Sequence, residues 1–182
     1  MEIIQAFKER RTIHNFFDTK VPKEVIKRSI IAANHAPCHK MTFPWRFTSL
    51  SRKKRELLCQ LQISLKLGDK PKDEVVCKTI TDKILTPSNL LVATQIYTDN
   101  QVQRHEDYAA CACAIQNMSL SLVADGVGSK WSTGKITTHP NTYQIAEIIP
   151  SEEEIIGFIW IGYGVVPPTI SRPSINSIFR ER

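Results

Sequence analysis

Residues 108–134 decide the fold, and they read YAACACAIQNMSLSLVADGVGSKWSTG. The first part, from Tyr108 to Ala124, consists of small, apolar and uncharged polar side chains. This composition predicts a helix that is buried on nearly all sides, because it offers water no charged face. Gly126 and Gly128 predict a flexible exit from this helix, and residues 129–134 are expected to form the loop that follows it.

Three other segments predict the strands of a sheet. Leu90 to Tyr97 is an apolar run, which is typical of a strand covered on both faces. Ile155 to Gly162 predicts the last strand, and a short helical turn should precede it, because Ser151 and Glu154 have the spacing of a capping box. In residues 45–49, Trp45, Phe47 and Ser49 alternate with Arg46 and Thr48, as side chains on the two faces of a strand do.

Three shorter helices are predicted in the first half of the chain. Residues 2–10 carry apolar side chains at helical spacing, which indicates a short amphipathic helix. Another runs from Pro22 to about His35, because Pro37 prevents its continuation. Residues 52–67 are rich in Lys, Arg and Leu and predict a third. Residues 68–89 place glycine and prolines among charges, and we expect them to be the most variable and mobile surface.

The alternation of helices with a few strands predicts an α+β domain, whose small antiparallel or mixed sheet is flanked by helices. The chain has 182 residues, 42% of them hydrophobic and 23% charged, which favours one well-packed domain over residues 1–182. No apolar run reaches the roughly 20 residues of a membrane helix, and the N-terminus lacks the order of a secretory signal. We therefore expect a cytoplasmic protein with no membrane partner.

The cysteines and the charge narrow the class of protein further. The five cysteines show no disulfide-type spacing, which favours reduced thiols and agrees with a cytoplasmic setting. The formal net charge is +6, but the basic residues are scattered and few aromatic residues lie among them. A solvated basic face or an anionic cofactor explains this charge better than a nucleic-acid partner does.

Three ordered groups of residues carry the functional signal. The triplet Arg10 to Thr12 follows the first predicted helix. Residues 36–40 read APCHK, and Pro44 to Phe47 read PWRF. The third group is Gly-Val-Gly at the end of the apolar helix, followed by Trp-Ser-Thr-Gly at residues 131–134.

In this order and spacing, the three groups resemble the motifs of the nitroreductase family, and in particular its compact branch. The first is similar to the family's Arg-Arg-Ser. The second is similar to Ala-Pro followed by Pro-Trp-x-Phe, and the third to Gly-x-Gly-x-x-Trp-x-x-Gly. The resemblance covers essentially the whole chain. Its departures are Cys38, threonine for serine at two places, and His14 where relatives often carry a second arginine.

The resemblance implies an intertwined homodimer that binds FMN at the subunit interface and is reduced by NADH or NADPH. Forked guanidinium donors suit the FMN phosphate, and a threonine keeps the serine hydroxyl. The flavin supplies the chemistry, so no side chain is predicted to be catalytic. The residues implied to contact FMN are Arg10, Arg11, Thr12, His14, His35, His39, Trp131, Ser132, Thr133 and Gly134.

The implied mechanism is ping-pong, with one pocket serving the reduced nicotinamide and then the electron acceptor. Positive charge from Arg10, Arg11 or protonated His14 near the flavin's pyrimidine end would stabilise the reduced flavin. Relatives reduce nitroaromatics, quinones or similar conjugated small molecules, and the sequence does not choose among these.

Several alternatives stay open at this point. His35, Cys38 and His39 could suggest zinc, but a fourth ligand is missing and Pro37 interrupts the helix, so no metal site is predicted. The arginine pair could merely complement a helix end, and Trp131 could be a core residue. A non-catalytic protein that stores or senses FMN is the principal alternative function.

Overall fold

The computed structural model describes residues 1–182, and its centre is a four-stranded sheet in the order β1-β2-β4-β3. The strands are β1 (Trp45–Ser49), β2 (Asn89–Ile96), β3 (Gly128–Ser132) and β4 (Glu153–Gly162). All three neighbouring pairs are antiparallel. The predicted α+β class is confirmed, and the sheet is antiparallel rather than mixed.

Seven helices surround the sheet. They are α1 (Ile3–Glu9), α2 (Lys23–Asn34), α3 (Arg52–Leu67), α4 (Glu74–Leu85), α5 (Gln101–Ala124), α6 (Pro140–Ala146) and α7 (Ile175–Ile178). Short 3-10 turns occur at His39–Met41 and Lys135–Thr138. None of these helices is both long and apolar enough to span a membrane.

The two faces of the sheet carry separate apolar cores. On one face, α2 and α5 pack against β2 and β4, and Met118 and Ile159 are fully buried there. On the other face, α3, α4 and residues near α6 pack against the same two strands, with Leu58 and Phe158 at the centre. Successive residues of β4 point to opposite faces, so this strand supplies both cores.

Helix α5 begins earlier than the composition predicted, at Gln101, because the Asn100 side chain accepts hydrogen bonds from two backbone N–H groups of its first turn. It is also not buried on all sides within one chain. Ala109, Cys113 and Gln116 are exposed and lie on one stripe of the helix. The chain therefore leaves part of its apolar central helix uncovered.

The segment 68–89, for which the sequence predicts a variable and mobile surface, contains the helix α4. Asp73 caps its first turn by accepting hydrogen bonds from the backbone of Val75 and Val76. Ile80 and Ile84, four residues apart, are buried against the sheet. The charges that suggested a loop lie on the solvent side of an amphipathic helix.

Two further predictions need correction. Residues 129–134 were expected to form a loop, but residues up to Ser132 form β3, because this segment pairs with the buried strand β4. Glu154 does not belong to a capping box. It lies in β4, where its carboxylate accepts hydrogen bonds from Gln95 and Arg104. A single turn does precede β4, since the backbone of Glu152 donates to Ile149.

Candidate functional site

The segment from Arg10 to His14 runs alongside β3. Thr12 pairs with Ser129 as a parallel bridge, and the backbone N–H of Ile13 donates to the Ser129 carbonyl at 3.1 Å. Gly128 makes this approach possible, since a Cβ atom there would lie 2.3 Å from Cγ1 of Ile13. This glycine is required for close packing and not for a flexible exit.

Because this segment is extended, its neighbouring side chains point to opposite sides. Ile13 is buried, and Arg11 lies with it beside the last turn of α5, lining a cavity of about 360 Å³. The Arg11 guanidinium donates a hydrogen bond to the carbonyl of Pro168 in the C-terminal segment.

His14 lies on the other side of the extended segment, where its Nδ1 is 3.3 Å from Nζ of Lys130. Strand alternation predicts that the Arg10 side chain points away from that of Arg11, so we do not expect the two adjacent arginines to be equivalent.

The same alternation divides the residues of β3. The Trp131 ring faces α5, where its centroid lies 6.2 Å from that of Tyr108 and its Nε1 donates to the Ile156 carbonyl. Lys130 and Ser132 point to the opposite face, towards α3 and α4. The contacts of Trp131 are therefore those of a core residue, and the side chains next to it in sequence face a cavity.

That cavity has a volume of about 350 Å³ and opens where β3 meets α3 and α4. It carries lysines but no acidic residue, and none of these lysines forms an ion pair. We call it the basic pocket. Its defining residues are Lys66, Lys83, Ser132, Thr133, Gly134, Lys135 and Trp160.

The positive charge concentrates around the ring of Trp160. Nζ of Lys83 lies 5.4 Å from the ring centroid, and Nζ of Lys130 lies 6.0 Å from it. Burial lowers the pKa of Lys130, and the positive charge of Lys83 lowers it further. Two ammonium groups without a counter-ion make this pocket a favourable place for negative charge.

The loop at the mouth of the pocket has a defined conformation. Gly134 has φ 157° and ψ 177°, a combination that is essentially restricted to glycine. Its carbonyl accepts a hydrogen bond of 2.7 Å from the Thr137 hydroxyl. The predicted residues Ser132, Thr133 and Gly134 thus stand together at the edge of the basic pocket.

A buried arginine holds the helix that carries Lys83. Arg55 of α3 is 5% exposed, and its guanidinium donates to the carbonyls of Ile84, Pro87 and Ser88. These carbonyls lie at the end of α4 and just beyond it, where the helix itself offers few partners. Burial lowers the pKa of Arg55 to about 10. The charge meets the negative end of the helix dipole and so fixes α4 against α3.

The remaining two predicted residues, His35 and His39, belong to a separate group. Nε2 of His39 lies 3.9 Å from Oε1 of Glu106 on α5. His35 lines a different cavity, together with Phe43 and Arg46 of the β1 side. Neither histidine lies at the basic pocket.

Helix α5 stands between the two groups. His39 meets it at Glu106, whereas Trp131 meets it at Tyr108, and residues two apart on a helix point roughly 200° away from each other. Arg11 lies still further away, near Gly126 at the far end of α5, about 30 Å along the helix axis from Glu106. One chain therefore assembles most of the predicted residues at β3 and leaves the two histidines elsewhere.

The thiol between the histidines is engaged within its own loop. Sγ of Cys38 accepts a hydrogen bond from the backbone of Phe43 and lies 3.2 Å from the Thr42 hydroxyl. No group of three metal-binding side chains occurs anywhere in the chain.

The sequence reasoning missed the residues that give the pocket its charge. Lys130 stands inside the third motif, and strand alternation places it on one face with Ser132, but the residue types of this segment predict a loop. Trp160 lies within the last apolar strand, whose composition predicts only burial. No local sequence pattern links Lys83 to the pocket, because Lys83 lies on α4, a helix that the sequence pattern does not predict.

The fold and the site define an α+β protein with an arginine-bearing edge segment and a pocket suited to an anionic cofactor. A family model described as the nitroreductase family matches residues 7–163, and the chain belongs to that family. A Bacillus subtilis relative, the candidate NAD(P)H nitroreductase YfhC, is 30% identical over 178 residues, which span 96% of this chain and 91% of that protein.

Solved structures show the same fold. A nitroreductase-like family protein from Bacillus cereus superposes with a TM-score of 0.84 at 26% identity, covering 100% of this chain and 96% of its own. A Desulfovibrio desulfuricans structure described as a nitroreductase in complex with FMN gives a TM-score of 0.76 at 18% identity, covering 100% and 97% of the two chains.

Proposed function

We propose that this protein is an FMN-dependent oxidoreductase that transfers a hydride from NADH or NADPH to a conjugated small-molecule acceptor, such as a nitroaromatic or a quinone. The observation that carries this proposal is the basic pocket, which has several lysines, no carboxylate, and a direct link to the Arg10–His14 segment through the contact of His14 with Lys130. Such a donor set fits an anionic cofactor with a ring system.

Different residues of the site would bind the phosphate and the ring of the cofactor. Arg10 and Thr12 of the extended segment would hold the phosphate through a guanidinium and a hydroxyl. Lys83 and Lys130 would place positive charge beside the ring, and the loop of residues 132–134 would offer backbone groups to its edge. When bound, FMN supplies reversible two-electron chemistry, so the chain needs no catalytic acid, base or nucleophile of its own.

Arg11 has a different place in this proposal. Its guanidinium contacts the carbonyl of Pro168, which favours a role in holding the C-terminal segment. Trp131 likewise supports the site from the core side, through Tyr108 and the Ile156 carbonyl. These two members of the predicted set would shape the site without contacting the cofactor directly.

The relatives support the cofactor and the donor. The Desulfovibrio structure is described with FMN bound, and the Bacillus subtilis relative carries an NAD(P)H nitroreductase name. We extend both properties to this chain, together with ping-pong use of one pocket by the nicotinamide and the acceptor. All five cysteines are free, which agrees with the reducing cytoplasm where NADH and NADPH are available.

The homodimer is part of the proposal, because a single chain keeps His35 and His39 on the far side of α5. Two copies that pack their exposed α5 stripes together could bring the histidine loop of one to the α5 side of the other, where Thr133 lines a cavity with Arg104 and Tyr108. Ala109, Cys113 and Gln116 form that stripe. The C-terminal segment also exposes Ile175 and Phe179, which a second copy could cover.

The first test is the visible absorption spectrum of the purified protein, with and without anaerobic NADH or NADPH. Flavin bands that bleach with either donor are expected. A flavin that stays oxidised with both donors would instead favour a protein that stores or senses FMN. A colourless protein that also fails to bind added FMN would refute both functions.

A further inference from the structure

Residues 38–43, which we call the histidine loop, have an unusual backbone. Lys40, Met41 and Phe43 have φ values of 56°, 53° and 42°. Side chains other than glycine rarely adopt this left-handed region, and the loop contains no glycine. A segment with several such residues keeps its conformation only where surrounding contacts hold it. The contacts that hold the histidine loop therefore decide where its side chains lie.

Two side chains of the loop face inward. Cys38 and Thr42 are half-buried, and the other four residues are exposed. Sγ of Cys38 lies 3.2 Å from Oγ1 of Thr42 and accepts a hydrogen bond of 3.1 Å from the backbone N–H of Phe43. Cys38 thus closes the loop on itself, and Thr42 connects it to the rest of the chain.

The connection leads to a buried carboxylate on α5. The Thr42 hydroxyl donates a hydrogen bond of 2.6 Å to Oδ1 of Asp107, a residue that is 4% exposed. Asp107 forms no ion pair. Burial of a carboxylate without a counter-ion costs free energy, and an apolar residue at this place would avoid that cost. What the carboxylate provides, and an apolar residue could not, is the hydrogen bond to Thr42.

The anchored loop carries His39 at its surface. The His39 side chain is 62% exposed, and its Nε2 lies 3.9 Å from Oε1 of Glu106, a distance too long for a hydrogen bond. The backbone of the loop, rather than contacts of the imidazole itself, therefore sets the position of His39. A relaxation of Lys40 and Met41 to a right-handed or extended conformation would move the imidazole relative to α5.

We propose that Asp107 is a positioning residue for the flavin site. Through the Thr42 hydroxyl it holds the histidine loop in its left-handed conformation, and this conformation presents His39 to the cofactor of the partner subunit. The inference rests on the proposed function, including the homodimer. Asp107 and Thr42 contact neither cofactor nor substrate in this arrangement, and they act only through His39.

The first test removes the hydrogen-bond donor with little change of shape. In Thr42→Val we expect the dissociation constant of FMN, measured by fluorescence titration, to rise about tenfold, because a hydrogen bond to a charged group is lost. Thr42→Ser keeps the hydroxyl and should stay within about twofold of the wild type. Thr79→Val is the matched control, since the Thr79 hydroxyl donates to the Val75 carbonyl of its own helix. It should leave the dissociation constant unchanged.

A double variant separates positioning from stability. Thr42→Val alone leaves a buried carboxylate without its donor, which can destabilise the fold. Thr42→Val combined with Asp107→Leu replaces both polar partners with apolar side chains, so the unfolding free energy in urea should be no lower than that of the wild type. FMN binding should nevertheless be as weak as in Thr42→Val. A double variant that binds FMN like the wild type would overturn the inference, because the pair would then matter for stability alone.

A third test asks whether Thr42 acts through His39. In a His39→Ala background, Thr42→Val should change the dissociation constant of FMN by less than about threefold, because the positioned side chain is already absent. If Thr42→Val weakens binding by the same factor in both backgrounds, the two residues are independent and the inference is wrong.

Hydrogen exchange of the full-length protein follows the loop without reference to the flavin. Exchange at residues 38–43, including the Phe43 N–H that is bonded to Cys38, should accelerate at least about tenfold in Thr42→Val. Unchanged exchange would overturn the inference. A wild-type protein that binds no FMN would refute the proposed function and this inference with it. Wild-type and Thr42→Val proteins that bind FMN equally well would overturn the inference alone.

Discussion

The predicted site residues fall into two groups, one along β3 and one formed by His35 and His39, and the two groups lie in different parts of the structure. Thr12 and His14 lie along the edge strand β3, at Ser129 and Lys130, and residues 132–134 line the basic pocket where that strand ends. His35 and His39 lie across α5, at the other side of the α2–α5 layer. Within one chain the two histidines are separated from the basic pocket, and in the proposed homodimer they would contribute to the partner's site.

The largest effect should come from separating the two copies. Cys113→Arg places a charge on the exposed stripe of α5, and an unpaired charge buried in an interface costs roughly 3–5 kcal/mol. We expect the variant to be monomeric in analytical ultracentrifugation and to bind FMN at least about 100-fold more weakly. Leu57→Arg, an exposed position on α3, is the control. A monomeric Cys113→Arg that binds FMN normally would show that the histidine group is dispensable.

The next effect should separate the two neighbouring arginines. Arg10→Ala should weaken FMN binding about 10- to 100-fold, as expected for the loss of a charge-assisted hydrogen bond. Arg11→Ala should change it less than about threefold and should instead increase proteolysis of the C-terminal segment, because the contact with Pro168 is lost. Fluorescence titration with FMN measures the first effect. Equal losses in both variants would refute the assignment by strand alternation.

A smaller effect should appear in the flavin potential. Lys83→Met removes one cation beside the Trp160 ring, so reduction of the bound flavin should become harder and the midpoint potential about 30 mV more negative, which corresponds to roughly 1.4 kcal/mol for a two-electron couple. Lys78→Met, on the outer side of the same helix, is the control. An unchanged potential would place the ring away from Lys83 and leave the basic pocket without a role in tuning.

The smallest effect concerns the end of α5 that lies between the two groups. Nε of Arg104 donates to Glu154 at 2.8 Å, and this hydrogen bond lowers the pKa of Glu154. A lowered pKa stabilises the folded state above the unfolded pKa of about 4.3, and this contribution is lost as the pH falls through the folded value. Arg104→Gln should thus cost about 1 kcal/mol of unfolding free energy at pH 7. In urea denaturation the difference should shrink below pH 4, and a difference that persists at low pH would contradict the ion-pair origin.

The prediction succeeded where a signal was local. The apolar run of β4 and the amphipathic spacing of α1 and α2 are properties of neighbouring residues, and the structure contains those elements close to their predicted limits. The sequence pattern does not predict the helix at residues 74–85, because charges and prolines look the same in a loop and around the solvent face of a capped helix. The prediction failed at β3, whose short polar sequence becomes a strand only through its pairing with β4.

For the site, the sequence by itself determined the chemistry of the donors. Guanidinium, hydroxyl and glycine residues at fixed spacing are local features, and they sufficed to indicate the nitroreductase family and the residues from Arg10 to His14 and from Ser132 to Gly134. Only the tertiary structure decided which of them lie close together. Lys83 and Trp160 join the pocket through contacts between distant elements, Arg11 is turned away by strand alternation, and the histidines are kept apart by the width of α5. These distances depend on how helices pack on a sheet, and no short stretch of sequence encodes that packing.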